Sequence, residues 1–220
     1  DRITVCFFGD GAVYQGAVHE ACNLGALWRA PIVYAIENNH YAVATSRAHG
    51  CSAPRLCQVA AAYGMPGFQV DGGDPIAVKN AFAHILAERT HLPCVLEIDT
   101  YRHYHHAGGN PGSAYGYRAK AEEAERRQRD PLVRFAAVLQ ERGVAAADLE
   151  KLRDQAQAGI EAAVTAVLAT TATGAKIVRP ELWPAVNDAR RGLRDEALAA
   201  TGPFVEAADC ECTREIKYPD

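Results

Sequence analysis

Asp10 stands between two glycines, Gly9-Asp10-Gly11, and an asparagine pair, Asn38-Asn39, follows after one helix-sized insertion. Each group closes an apolar run. Ile3-Thr4-Val5-Cys6-Phe7-Phe8 leads into the first, and Ile32-Val33-Tyr34-Ala35-Ile36 leads through Glu37 into the second. Short apolar runs bounded by turn residues read as buried strands. Both groups therefore fall at C-terminal strand ends, where open α/β sheets place their ligands. A carboxylate and a carboxamide oxygen converging there are hard donors of the kind that suits Mg²⁺ holding a diphosphate. Gly11 and Ala12 open the helix that follows. Their N–H groups can face a diphosphate oxygen, and their small side chains let it approach closely. Gln15, one turn later, either hydrogen-bonds the same region or faces solvent. The plain alternative is an Asp10 that caps a helix and an Asn-Asn turn with no ligand.

A second group of reactive residues lies in Tyr101-Arg102-His103-Tyr104-His105-His106. It follows a strand end, on the same side as the first group. Histidine donates and accepts protons near neutral pH, so a loop histidine can serve in proton transfer. A zinc site and a solvated histidine cluster are the competing readings. Zinc needs a defined ligand geometry, and no cysteine lies within this loop. His19, His49, His84 and His91 read as structural or solvated.

The elements that must position these groups alternate. Strands are expected at 3–8, 32–37, 68–70 and 94–100, with helices over 15–29, 56–63 and 75–89 between them. Gly64 is a plausible C-cap. Asp74 and Pro75 make a cap and a first turn. The order β-α-β-α-β-α-β predicts an α/β fold with a mainly parallel sheet flanked by helices. The segment 101–117 is a long loop rich in Gly, His and Tyr, and structureless loops of that length are usually functional or disordered. Beyond it, 118–129, 131–142 and 146–169 carry Ala, Glu, Arg and Leu at helical spacing. Residues 170–174 break that pattern, 184–199 could form one more helix, and the tail from Thr201 reads as a linker. The expected division is a site-bearing domain over 1–117, a helical C-terminal extension over 118–170, and an irregular segment over 171–220.

Composition excludes some classes. A net charge of −4 with scattered Lys and Arg gives no footprint for nucleic acid. No apolar stretch approaches the roughly 18–20 residues of a membrane helix, and no segment of the sequence reads as a signal peptide. The seven cysteines are spread out, several of them in apolar runs. They read as free thiols in a reducing cytoplasm, or in a matrix compartment after import. A Mg²⁺-dependent phosphatase or receiver-like module would need an acidic cluster at the first strand end, where only Asp10 stands.

Gly9-Asp10-Gly11-Ala12, Gln15-Gly16, Glu20-Ala21, Ala26-Leu27-Trp28, Pro31, Glu37-Asn38-Asn39 and Tyr41 together resemble the alpha subunit of the thiamine diphosphate-dependent 2-oxo-acid dehydrogenase first component. Pyruvate, branched-chain 2-oxo-acid and acetoin dehydrogenases share that pattern, and the likeness runs from Arg2 to near Val167. It implies a thiamine diphosphate-binding fold, with Asp10, the Asn39 side chain and the Tyr41 carbonyl as Mg²⁺ ligands. Asp10, Gly11, Ala12, Gln15 and Asn39 would face the cofactor. Aligned through Pro111-Gly112, it places the family's catalytic-loop histidine on His106, with His105 beside it. Tyr104 and His105 replace the usual first two residues of the family's His-Gly-His. Ala107 and Gly109 stand where phosphorylated serines would be, and Ser113 is the nearest serine.

The implied reaction is oxidative decarboxylation of a 2-oxo acid, pyruvate first, with the acyl group passed to a lipoyl-bearing acyltransferase. Acetoin or branched-chain substrates are the rivals, and a non-catalytic subunit that keeps the fold is a third reading. The family draws a glutamate that activates the cofactor from a beta subunit, and further diphosphate contacts from a region before the first strand. On that reading the chain is a fragment, inactive alone. Arg214-Glu215-Ile216-Lys217-Tyr218-Pro219-Asp220 resembles the opening of the beta part, as a fused alpha–beta chain would.

Overall fold

The computed structural model describes residues 2–87 and 91–182. The chain separates into two compact units, Asp1–Glu150 and Lys151–Asp220.

The first unit is built on a four-stranded parallel sheet. Its strands are β1 (Thr4–Gly9), β2 (Ile32–Asn38), β5 (Gly67–Asp71) and β6 (Cys94–Asp99), in spatial order β1-β2-β6-β5. The predicted α/β architecture with a parallel sheet flanked by helices is therefore observed. Phe8 pairs with Ile36, Asn38 with Asp99, and Asp71 with Asp99 across the sheet. That register brings the ends of β2, β5 and β6 to one level. Connections are α1 (Gly16–Leu27), a 3₁₀ helix (Leu56–Tyr63) and α3 (Pro75–Ala87). The two-residue strands β3 (Tyr41–Ala42) and β4 (Thr45–Ser46) form a small antiparallel hairpin, followed by the single turn α2 (Arg47–Gly50).

Alternation along the strands divides the core in two. Tyr34, Ile36 and Val95 pack with Val13, Cys22 and the 3₁₀ residues Leu56, Cys57 and Ala60. Val33, Cys94 and Leu96 pack with Ile85 of α3 on the other face. Both interior strands are nearly continuous in apolar residues, as strands covered on both sides must be. The helix caps follow the sequence. Asp74 Oδ1 accepts from the N–H groups of Ile76 and Ala77 at 2.9 and 3.1 Å, and Gly64 sits at φ +67 as a left-handed cap. The expected α-helix over 56–63 is a 3₁₀ helix. The predicted helix over 75–89 is seen to Ala87, and Arg89 lies outside the described residues.

β1 differs from expectation. It reads as a buried strand, yet Phe7 is 57% exposed and Val5 is exposed as well. Strand β1 is the edge of the sheet, and no described element packs over that side of it. Apolar content alone does not distinguish a central strand from an edge.

Beyond β6, the loop carries a short 3₁₀ turn (Gly112–Tyr115), and α4 (Lys120–Arg127) and α5 (Pro131–Glu141) follow. In the second unit, α6 (Ala146–Val167), which starts just before it, ends where Leu168 begins a hairpin. Strand β7 (Leu168–Thr170) pairs with β8 (Lys176–Val178). The break predicted at 170–174 is the turn of this hairpin, with Gly174 at φ +82. The hairpin itself was not anticipated, because two three-residue strands leave no period to read. The helix expected at 184–199, and the tail that follows, lie outside the described residues.

Gly67 shows how tightly the 3₁₀ helix seats on β5. A Cβ at Gly67 would overlap the main-chain carbonyl of Cys57. Replacing a strand glycine normally gains up to about 1 kcal/mol, but overpacking against backbone costs about 1–3 kcal/mol. Gly67→Ala is expected to lower the urea midpoint of unfolding without changing its slope. An unchanged or raised midpoint would show that the 3₁₀ helix yields freely.

Candidate functional site

Asp10 begins a 3₁₀ turn (Asp10–Tyr14) directly after β1. Gly11 and Ala12 lie in this turn, and α1 opens only at Gly16. The expectation that they open the long helix is corrected accordingly: the N–H groups there belong to a separate tight turn. Gln15 caps α1, and its side chain is exposed.

The Asp10 turn meets the β3 hairpin closely. A methyl group at Gly11 would collide with Ala42 Cβ. Gly11 is therefore required for close approach, and the contact sets Asp10 beside the segment holding Asn39 and Tyr41. Asp10 is 2% exposed. Burial raises its carboxyl above the ordinary 3.8, against the lowering effect of its own and Gly11's N–H groups, His40 and Arg102. Among the described residues it has no ion-pair partner. A buried carboxylate left in that state is one that a cation would relieve.

The asparagine pair divides. Asn38 is buried, its Nδ2 donating to Glu97 Oε1 at 2.7 Å and its Oδ1 accepting from the His40 N–H at 3.1 Å. Asn39 is half-buried, and its Oδ1 accepts from the Tyr41 N–H at 3.2 Å. One lone pair of that oxygen remains for a further partner. His40, between them, adopts φ +67 and turns its ring to Asp99, with Nε2 2.6 Å from Oδ1. The Tyr41 carbonyl accepts from Arg102 Nη1 at 3.5 Å, a long contact. The donors that could hold a metal are thus the Asp10 carboxylate, the Asn39 amide oxygen and the Tyr41 carbonyl. All three are hard oxygens with a single formal charge, a set that fits Mg²⁺ bound jointly with phosphate.

The histidine loop is tied to the same hairpin by two arginines whose roles have no local sequence signal. Arg102 Nη2 donates to Val43 O at 2.6 Å and to the Tyr117 hydroxyl at 3.2 Å. Arg118 is 5% exposed. Its guanidinium lies over the rings of Tyr41, Tyr101 and Tyr117, at 4.3, 4.7 and 5.3 Å from their centroids. Its Nη1 donates to the Arg102 carbonyl, while Nε and Nη2 find no hydrogen-bond acceptor among the described residues. Ring faces take the place of acceptors, as cation–π contacts allow. Tyrosine enrichment in the loop was visible in sequence; which rings would enclose a cation was not.

His105 stacks on Tyr115, with ring centroids 4.1 Å apart, and its Nδ1 accepts from the Ala107 N–H at 3.2 Å. His103 lies 3.5 Å from Asp130. His106 is exposed. Of the loop's histidines, His105 is engaged in the loop's own packing and His106 is presented outward. Ser113 is held by Glu123, which accepts from its N–H at 2.7 Å and its hydroxyl at 2.6 Å. Burial would raise the Glu123 carboxyl, but the two hydrogen bonds it accepts from Ser113, together with the charges of Arg118 and Arg127, outweigh it and keep it low. A phosphate on Ser113 would be set against that carboxylate. Among the described residues no group of three or more His, Cys, Asp or Glu is arranged to hold a metal.

Known proteins resemble the chain across this region. The sequence pattern of the family described as dehydrogenase E1 component matches residues 1–176. The pyruvate dehydrogenase E1 component subunit alpha of Rhizobium meliloti is 38% identical over 160 residues, covering 70% of this chain and 44% of the relative. The subunit of the same name from Staphylococcus aureus is 38% identical over 169 residues, covering 74% and 45%. That of Rickettsia conorii is 37% identical over 171 residues, covering 74% and 51%. The chain spans about half the length of the curated relatives it matches.

The state of Asp10 has a measurable consequence. Its raised value means that burying the ionised form costs stability. That cost is fully present above the raised value and disappears below 3.8. In metal-free protein at neutral pH, Asp10→Asn is therefore expected to raise the melting temperature by a few degrees, with the gain shrinking as pH falls. A lower melting temperature in the variant would mean that Asp10 is satisfied without a cation.

Proposed function

The chain belongs to the dehydrogenase E1 component family, and from that premise we propose that it is the alpha part of a thiamine diphosphate- and Mg²⁺-dependent 2-oxo-acid dehydrogenase, with pyruvate as its first candidate substrate. The observation that carries this reading is the desolvated Asp10 carboxylate, held by the Gly11–Ala42 contact beside Asn39 and Tyr41. Asp10, Asn39 and the Tyr41 carbonyl would hold Mg²⁺. The tight turn that carries Gly11 and Ala12 would take the diphosphate, with the Gly11 N–H also directed at the Asp10 carboxylate, and Gln15 would lie at the margin of that site. Thiamine diphosphate, when bound, supplies the carbon nucleophile that makes decarboxylation of a 2-oxo acid possible. Mg²⁺ held there would serve as a template for the diphosphate.

His106 is the residue proposed for proton transfer near the reacting carbon, with His105 as its stacked support on Tyr115. Arg102 and Arg118 orient the loop that carries both. The acyl group passes to a lipoyl-bearing acyltransferase, and a beta subunit or fused beta part completes the site. Large apolar side chains left exposed, among them Phe7, Leu27 and Trp28, suit a chain that buries surface against partners. The five described cysteines are all unpaired, and no described helix is long and apolar enough to cross a membrane. The unpaired cysteines accord with a reducing, cytoplasmic setting.

The test is turnover by the complete alpha–beta protein with thiamine diphosphate and Mg²⁺, coupled to an artificial electron acceptor. Pyruvate, 2-oxoisovalerate and acetoin are offered in parallel. Turnover of pyruvate is expected. Asp10→Ala should lose more than the roughly 10–100-fold typical of partners outside the ligand shell. Turnover of acetoin alone would move the chain to that rival activity, and silence on all three would favour a non-catalytic subunit.

A further inference from the structure

Asn38 and Asn39 are adjacent in sequence and opposite in fate, and Glu97 is the cause. Glu97 sits in β6 beside β2 and is 1% exposed. Its Oε1 accepts from Asn38 Nδ2 at 2.7 Å, and its Oε2 accepts from the Cys57 N–H at 3.0 Å. Among the described residues no Lys, Arg or His forms an ion pair with it. A buried carboxyl group without a counter-charge is costly, and an apolar residue would fill the same space more cheaply. Packing alone does not account for a glutamate here.

What a carboxylate does, and an apolar residue cannot, is choose the orientation of the Asn38 amide. A carboxylate offers only acceptors, so the amide must present its NH₂ group to it. Oδ1 is thereby turned away, toward the His40 N–H. That bond closes the turn in which His40 takes φ +67, and the Asn38 carbonyl is held in addition by the Thr100 N–H at 2.9 Å. Asn39 and Tyr41 flank His40, so the directions of their oxygens are set by this turn. Asp99, two residues along β6, grips the His40 ring from the same strand.

We propose that Glu97 is a positioning residue for the Asp10–Asn39–Tyr41 metal site, acting through Asn38. It presets the turn so that the oxygen donors are in place before a cation arrives. The inference rests on the metal site proposed above. Loss of an outer partner of this kind typically costs 10- to 100-fold in metal affinity.

The full-length chain, assembled with its partner, provides the test. Mn²⁺ binding in the presence of thiamine diphosphate is read from the electron paramagnetic resonance signal of the free ion. In Glu97→Gln the amide has one acceptor and one donor group, so it can serve Asn38 or Cys57 but not both. Its Mn²⁺ affinity is expected to fall by about 10- to 100-fold. The double variant Asn38→Asp with Glu97→Gln exchanges donor and acceptor across the pair and leaves every hydrogen bond satisfied. It is expected to regain most of the lost affinity, a coupling that independent sites do not show. Ile85→Val, in the core on the opposite sheet face, should lower the melting temperature and keep the wild-type affinity. Wild-type affinity in Glu97→Gln, or no recovery in the double variant, would overturn the proposal. Wild-type affinity in Asp10→Ala would remove the metal site itself, and the role of Glu97 with it.

Discussion

A buried carboxyl group at Glu97 sets the terms for the end of the sheet. It lies between β2 and the 3₁₀ helix, and two N–H donors from different elements meet on its two oxygens. Hydrogen bonds to charged groups are worth about 1.5–3 kcal/mol each, which offsets a large part of a desolvation cost of several kcal/mol. The balance is local and specific. Only a register that brings Glu97 beside Ile36, and Asn38 beside Asp99, lets the bonds form. The same contact presses on Cys57, whose thiol is pushed up to about 11 by burial and by the neighbouring carboxylate.

From that anchor the architecture branches toward two turns. One is the Asn38–Tyr41 turn, whose left-handed residue is a histidine rather than a glycine. A positive φ at a residue with a side chain is strained unless the surroundings hold it. Here Asn38 holds the His40 backbone and Asp99 holds its ring. The other is the Asp10 turn, brought up against Ala42 because Gly11 lacks a side chain. The Asp10 turn is also pinned to the core by Val13, whereas the Asn38–Tyr41 turn has no residue in the core clusters. Each is positioned by the sheet, the Asn38–Tyr41 turn by polar contacts and the Asp10 turn by apolar ones, which is how a rigid scaffold carries an irregular loop. Asp10 is left with a desolvation cost in the metal-free protein, which the cation proposed for this site would offset.

The histidine loop follows the same logic with different chemistry. It has little regular structure, yet it is fastened to the β3 hairpin by Arg102 and by the ring-enclosed guanidinium of Arg118. Arginine suits this role because its planar, weakly hydrated cation stacks on rings and donates in several directions at once. Tyr41 belongs to both systems: its carbonyl is one of the proposed metal donors and accepts from Arg102, and its ring lies under Arg118.

Several features were determined by the local sequence. The strand–helix alternation, the Asp74-Pro75 helix start and the Gly64 cap follow from periodicity and from residues with narrow backbone preferences, so they can be read without neighbours. The placement of Asp10 and of the asparagine pair at strand ends is legible for the same reason. Other features depended on which surfaces meet in three dimensions. The exposure of β1 follows from its place at the sheet edge, which its apolar residues do not encode. The separate roles of Asn38 and Asn39 depend on Glu97, far away in the chain and adjacent only through β2–β6 pairing. The enclosure of Arg118 needs three tyrosines from two segments. Local order is fixed by backbone sterics and hydrophobic period, which act over a few residues. A buried carboxyl or guanidinium group is tolerated only where distant donors or rings converge on it, and only the tertiary structure decides where that occurs.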